Sequence, residues 1–334
     1  MSRVDLRRRP SGITLFAATL AAALLAAAVG CTGSDRASPT PSTDAAASTT
    51  ASTVPTPASS VSAAVPVTRQ VIGPEERRAE LVVPDGVDGS TAPLLLVLHG
   101  YAFGPHDVDR LFGAVEQASA RRLFVLLPTG STDLEGRKFW NASPACCNYS
   151  DLPVDDVSYL RGLLDEVVAT WPVDRDRIYV LGHSNGGFMA YRLACDAPEV
   201  SAVAVVAAAD ALEDGGCQPD KPISVLHVHG TADRKVPYDG GGDLLAPTAG
   251  AVETVSRWAR RDGCADVVTS LPPIDLDTAV PGAETAVASH QGCPPGIAVQ
   301  LDTMEGSEHI PTFDHDSVGR NVIDWLLGQQ AAAG

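Results

Sequence analysis

The feature that most constrains this chain is a recurring form of apolar run. Leu94 to Leu98 is continuous and is closed by His99-Gly100, and the same form returns at Leu123 to Leu127, Ile178 to Leu181, Val203 to Ala207 and Ile223 to Val228. A strand that is apolar on successive residues cannot keep one face in water, so these runs read as strands buried on both sides. Amphipathic stretches lie between them. The clearest begins at Asp156, where Val157, Leu160, Leu164, Val167 and Val168 share one helical face behind a cap at Asp155 or Asp156. This alternation predicts an α/β fold: a mostly parallel central sheet with helices on both faces, entered through an antiparallel strand near Glu80 to Val83. In such a sheet, functional groups gather at the carboxyl edge, where strands give way to loops.

The region ahead of these runs has a different composition. Arg3, Arg7, Arg8 and Arg9 precede an uncharged apolar run from Ile13 to Val29, then Gly30-Cys31, so residues 1–30 read as an export leader. Ala28-Val29-Gly30-Cys31 resembles a bacterial lipobox, which makes Cys31 the expected lipidation site and a membrane surface the expected partner. Residues 31–66 are rich in Ser, Thr, Ala and Pro, too poor in large apolar side chains to offset their ordering entropy, and are expected to be a disordered tether. Residues 67–330 are then expected to form one folded domain, held at the extracytoplasmic face of a bacterial membrane or secreted. The net charge of −17 and the absence of a basic stripe exclude nucleic acid as a natural partner.

Beyond Cys31 the chain has six cysteines, at 146, 147, 195, 217, 264 and 293. An even count in an exported chain reads as disulfides, whereas the adjacent pair and the lack of any C-x-x-C spacing argue against a metal site. Cys264 is expected to pair with Cys293, since the two flank one poorly periodic segment. Cys146, Cys147, Cys195 and Cys217 remain open.

Three weak signals fall on the predicted carboxyl edge. Gly182-His-Ser-Asn-Gly186 follows one strand and precedes the apolar helical run from Phe188, the context a nucleophile elbow at Ser184 requires. His229-Gly-Thr-Ala-Asp233 follows the next strand but one and supplies a carboxylate. His309 follows the strand-like Ala298 to Met304 and precedes an amphipathic helix near Ser317 to Leu327; His290 lies too early and His315 too late to serve as well. The order Ser184, Asp233, His309 is that of a hydrolase triad in which the histidine takes the serine proton and the carboxylate holds its tautomer. The backbone N–H groups of Asn185 and Tyr101 are the expected oxyanion donors. Trp140 and Tyr238 are candidate substrate-pocket residues, and His99 reads as a structural residue of the loop after the first buried strand.

With these residues in hand, the chain resembles the secreted α/β-hydrolase esterases related to polyhydroxybutyrate depolymerases and to feruloyl or acetylxylan esterases. The resemblance runs from about Arg69 to Leu327. It rests on the strand ending Leu98-His-Gly100, on Trp140 followed by Cys146-Cys147 and Val154-Asp-Asp-Val157, on GHSNGGFMAYRLAC, on HGTAD followed by Val236-Pro-Tyr238, and on the late histidine. It implies the α/β-hydrolase fold and ester hydrolysis without a cofactor or metal by Ser184, Asp233 and His309. Many relatives place their histidine in a Gly-Gly-His motif followed by Trp-Pro. This chain has Gly306-Ser-Glu-His-Ile-Pro-Thr312 instead, so an aromatic-acid specificity does not carry over. The short connection from Ala207 to Ile223 predicts no large lid and an open site suited to polymeric or bulky esters. Prolyl-oligopeptidase-like peptidases share the fold and the triad order but ordinarily add a gating domain, for which no segment is visible here. A hydrolase fold used only for surface binding would have no reason to keep all three residues.

Overall fold

The computed structural model describes residues 65–87, 90–210, 217 and 219–330. The expected leader, Cys31, nearly all of the tether and much of the Ala207 to Ile223 connection lie outside the described residues.

In chain order the elements are β1 (Val67–Ile72), β2 (Ala79–Pro84), β3 (Ala92–Leu98), α1 (Pro105–Phe112), α2 (Ala114–Arg121), β4 (Phe124–Pro128), the two-residue strands β5 (Ser131–Thr132) and β6 (Lys138–Phe139), α3 (Asp156–Thr170), β7 (Val173–His183), α4 (Asn185–Asp196), β8 (Ala202–Val206), β9 (Ser224–Gly230), α5 (Ala251–Arg261), β10 (Val268–Ile274), β11 (Thr285–His290) and β12 (Val299–Met304). The expected final helix is divided into α6 (His315–Val318), a π-helical turn (Gly319–Ile323) and α7 (Asp324–Leu327).

Ten strands form one sheet in the order β1-β2-β4-β3-β7-β8-β9-β12-β11-β10. From β4 to β12 every neighbouring pair is parallel, and both margins are antiparallel. All five apolar runs fall within or across strands of the parallel centre. The alternation of their side chains shows why each run is apolar throughout. In β3, Leu94, Leu96 and Leu98 enter one core with residues of α3, α4 and α5. Leu95 and Val97 enter the other, with residues of α1, α2 and the C-terminal helices. Each fully buried Leu or Val contributes roughly 1.5–3 kcal/mol, and a polar side chain on either face would forfeit that. Asp155 caps α3, its side chain accepting the Ser158 N–H.

Of the antiparallel margins, β2 coincides with the antiparallel strand expected near Glu80 to Val83, whereas β1, β10 and β11 were not expected. β10 and β11 occupy the segment between Cys264 and Cys293 that lacks periodicity, and β10 contains Pro272 and Pro273, which suit an edge strand. The cysteines pair as Cys146–Cys147, Cys195–Cys217 and Cys264–Cys293. Among the described residues no helix is long and apolar enough to cross a membrane.

Candidate active site

Because β3, β7, β9 and β12 run parallel, the residues that follow them emerge on one edge of the sheet. Ser184 follows β7 directly, with φ 54° and ψ −121°, a conformation that an L-residue holds only under local constraint. The constraint comes from packing. Its N–H donates to the Val206 carbonyl at 2.8 Å, and its own carbonyl accepts from Phe188 N–H at 3.0 Å to start α4. The flanking glycines are required by close approach: a Cβ on Gly182 would stand 2.1 Å from the Gly186 oxygen, and one on Gly186 would stand 2.2 Å from the Leu98 oxygen.

Ser184, His309 and Asp233, separated widely in sequence, meet at this edge. The Ser184 hydroxyl donates to His309 Nε2 at 2.9 Å, and His309 Nδ1–H donates to Asp233 Oδ2 at 2.7 Å. Ser184 and His309 are half-buried and face solvent in part, while Asp233 is buried. Asp233 Oδ1 accepts the N–H groups of Lys235 and Val236 at 2.8 and 2.9 Å. Burial pushes the Asp233 carboxyl up, but hydrogen bonds from His229 and His309 outweigh it and hold the group below the ordinary carboxylate range. The arrangement therefore places a charged carboxylate behind one nitrogen of the imidazole while the other faces a hydroxyl, the geometry that proton transfer from that hydroxyl requires.

His183, the residue before Ser184, was not singled out from sequence. It is fully buried, and its Nε2–H donates to the His309 carbonyl at 2.8 Å, so it ties the backbone of the imidazole loop to the end of β7. Burial, aided by the proximity of His309, lowers its pKa to about 4, keeping it neutral in that role. His99 is a structural residue, as expected: Nδ1–H donates to the Gly100 carbonyl at 2.8 Å, Nε2 accepts the Gly130 N–H at 2.9 Å, and burial lowers its pKa to about 4.

The two segments that carry the expected oxyanion donors meet at Ser184. The Asn185 N–H opens α4, where first-turn N–H groups have no intrahelical acceptor. Gly100, preceding Tyr101, packs so closely on the elbow that a Cβ there would lie 3.4 Å from Ser184 Cβ. The Tyr101 hydroxyl donates to Asp133 Oδ2 at 2.7 Å, and Asp133 also accepts from the Glu135 and Arg137 N–H groups and Arg137 Nε, so this loop is anchored by a satisfied buried carboxylate. Asp133 escaped the sequence reading, because nothing local links it to a loop some thirty residues earlier.

Trp140 requires a correction. Its ring was expected to line a substrate pocket, but it is 0% exposed and packs on the His99 ring at 4.9 Å. Its Nε1–H donates to the His99 carbonyl at 2.9 Å, so it fills the space under the loop after β3 and cannot touch a substrate. Tyr238 is half-buried; its ring stands edge-on to His229 at 5.7 Å and its hydroxyl bonds Thr303 Oγ1 at 2.8 Å, so its contacts support the Asp233 side of the site. A cavity of about 550 Å³ opens beside α4, with Phe188, Tyr191, Arg192, Asp210 and Arg261 in its wall; neither Ser184 nor His309 lines it.

No protein-family model matches this chain. Among curated proteins it is 33% identical over 183 residues to NocK of Nocardia uniformis subsp. tsuyamanensis, which is named as a suggested esterase; the match covers 51% of this chain and 52% of that protein. It is 28% identical over 243 residues to feruloyl esterase B of Piromyces equi, covering 70% of this chain and 42% of the relative. The chain thus spans about half or less of the length of these relatives. Among solved structures, the acetyl xylan esterase from Aspergillus awamori superposes with a TM-score of 0.54 at 15% identity, over 78% of this chain and 99% of that one. A likeness at that identity concerns architecture, and with the sheet described above it establishes the α/β-hydrolase fold.

Proposed function

We propose that this chain is a serine esterase that hydrolyses carboxylic esters through an acyl-enzyme, with Ser184 as nucleophile, His309 as general base and acid, and Asp233 as the carboxylate that orients it. The observation that carries the reading is the unbroken hydrogen-bond series from Ser184 through His309 to Asp233, at 2.9 and 2.7 Å. In this reading His309 Nε2 takes the Ser184 proton as Oγ attacks the ester carbonyl, then returns it to the departing alcohol oxygen as the C–O bond breaks. Water then attacks the acyl-serine, with His309 again the base, and releases the acid. The N–H groups of Asn185 and Tyr101 are the proposed donors to the tetrahedral oxyanion, each worth a few kcal/mol in comparable enzymes.

The names of the similar proteins, feruloyl esterase and acetyl xylan esterase, support short-acyl, polymeric or polysaccharide-linked esters as the substrate class. The reading includes an export leader at 1–30, lipid attachment at Cys31, a linking segment at 31–66 and a catalytic domain at 67–330, giving an extracytoplasmic enzyme. It is supported by the arginine cluster before an apolar run and by three disulfides, which persist in oxidising compartments. The test is a panel of short p-nitrophenyl esters, feruloyl and acetylated sugars and a polyhydroxyalkanoate, run with wild type and Ser184→Ala. Turnover by wild type alone supports the reading, and equal turnover by both refutes it.

A further inference from the structure

The triad has one hydrogen-bond partner too many for a simple serine–histidine–carboxylate series. Asp233 Oδ2 accepts from His309 Nδ1–H and also lies 3.3 Å from His229 Nε2. His229 Nε2 is 2.8 Å from the Val236 carbonyl, His229 Nδ1 is 3.0 Å from His227 Nε2, and His227 Nδ1 is 2.6 Å from the Tyr191 hydroxyl. His227 and His229 are wholly inaccessible and Tyr191 nearly so. Two imidazoles two residues apart point to the same face of β9, where an apolar pair would pack at lower desolvation cost.

With these three groups uncharged, one proton assignment satisfies every atom. A carbonyl and a carboxylate only accept, so His229 Nε2 carries the proton and His229 Nδ1 is a bare acceptor. His227 Nε2 must then donate to it, which leaves His227 Nδ1 to accept, and the Tyr191 O–H donates there. Every donor points the same way, from Tyr191 through His227 to His229, whose Nε2–H meets the Val236 carbonyl at 2.8 Å with Asp233 Oδ2 also near at 3.3 Å, so each bond polarises the next. Burial, reinforced by the neighbouring His229, holds the His227 pKa well below its ordinary value, and burial holds Tyr191 well above its own, in keeping with neutral links.

We propose that Tyr191, His227 and His229 are positioning residues, a neutral one-directional hydrogen-bond chain that fixes the Asp233 carboxylate in the orientation in which it holds His309. The proposal rests on the triad reading above for its effect on rate, but the chain itself can be read independently of any substrate.

The test combines ¹⁵N-histidine NMR with steady-state kinetics on a short p-nitrophenyl ester. In wild type, His227 and His229 are expected as neutral Nε2–H tautomers, and the His309 Nδ1–H bonded to Asp233 as a downfield proton. Tyr191→Phe removes only the hydroxyl and keeps the ring stacked on Trp258 at 5.3 Å. It is expected to lower kcat by about three- to tenfold with KM unchanged, and to shift both the His227 resonances and the downfield proton. His229→Leu is expected to lower kcat by about ten- to a hundredfold, and His229→Gln, which restores a side-chain N–H donor at this position, to recover most of that loss. An imidazolium or an Nδ1–H tautomer at 227 or 229 in wild type overturns the proposal even if no ester is turned over. So does a folded Tyr191→Phe with unchanged kcat and an unmoved His309 proton. Failure of the esterase reading would instead appear as equal turnover by wild type and Ser184→Ala.

Discussion

Trp140 and Asn185 clasp each other through two hydrogen bonds: the Trp140 N–H donates to Asn185 Oδ1 at 2.6 Å, and Asn185 Nδ2–H donates to the Trp140 carbonyl at 2.9 Å. The clasp joins the loop after β6 to the first residue of α4, next to Ser184. It occupies the Asn185 side chain on buried backbone, so only the main-chain N–H of this residue is available to a reacting carbonyl.

Asn185→Asp puts a charged oxygen where Nδ2 faces the Trp140 carbonyl, in a fully buried setting. The expected result is a loss of about 2–4 kcal/mol in stability at neutral pH, from an unpaired buried charge and a lost hydrogen bond. Asn185→Ala loses the bonds without adding charge and is expected to cost less. Chemical denaturation of wild type and both variants measures these losses, and variant midpoints equal to that of wild type would show that the clasp does not bear on stability.

Gly186→Ala tests the close approach at the elbow. The added Cβ would meet backbone, the Leu98 carbonyl at 2.2 Å, which cannot swing aside as a flexible side chain could. Overpacking of this kind costs about 1–3 kcal/mol or more, and here the strain falls on the end of β3 and the start of the loop that follows it. The variant is expected to lose several degrees of Tm and most of its turnover, whereas alanine at Gly136, where a Cβ has no neighbour within 4 Å but φ is +82°, carries only local turn strain. Thermal melts of the two variants check the contrast.

The parallel centre of the sheet was legible because its physical requirement is severe: strands covered on both faces must be apolar at nearly every position, and five runs met it. The candidate site was legible because Ser184 directly follows the apolar strand β7 and Asp233 lies just past the apolar strand β9, while His309, a few residues past the mixed strand β12, was separated from His290 and His315 by its place in the chain. The edge strands β1 and β10, and β11 beside β10, were not, since strands at the margins face water and their residues need satisfy no strict pattern; β10 is exposed along nearly its whole length. Trp140 was misread because an aromatic near a site can face it or support it, and only the His99 carbonyl, brought close by the fold, decides which. His227 and His229 carried a signal that went unused: two histidines on one face of a strand otherwise apolar enough to be wholly buried.

Asp302 supplies a prediction with a definite sign. Burial raises its pKa from 3.8 to about 7, against a partly opposing hydrogen bond from Gln300. The unfolded chain therefore releases this proton near pH 4 and the folded chain only near pH 7, so this group's contribution disfavours folding progressively as pH rises across that window. Asp302→Asn removes the penalty. It is expected to leave Tm nearly unchanged near pH 4 and to raise it by about 5 °C near pH 8, an effect of roughly 2 kcal/mol. Thermal melts at both pH values check it, and a gain confined to low pH would reverse the sign.

In the proposed mechanism the Ser184 oxygen, activated by His309, forms a covalent bond to an acyl carbon. Intact-protein and peptide mass spectrometry after brief treatment with a p-nitrophenyl phosphonate probes that nucleophile, because an activated serine oxygen displaces p-nitrophenolate at phosphorus and keeps the phosphonyl group. One adduct per chain is expected, located on Ser184 and absent in His309→Ala at the same exposure time. A protein that stays unlabelled, or carries the adduct on another residue while Ser184 is intact, would contradict it.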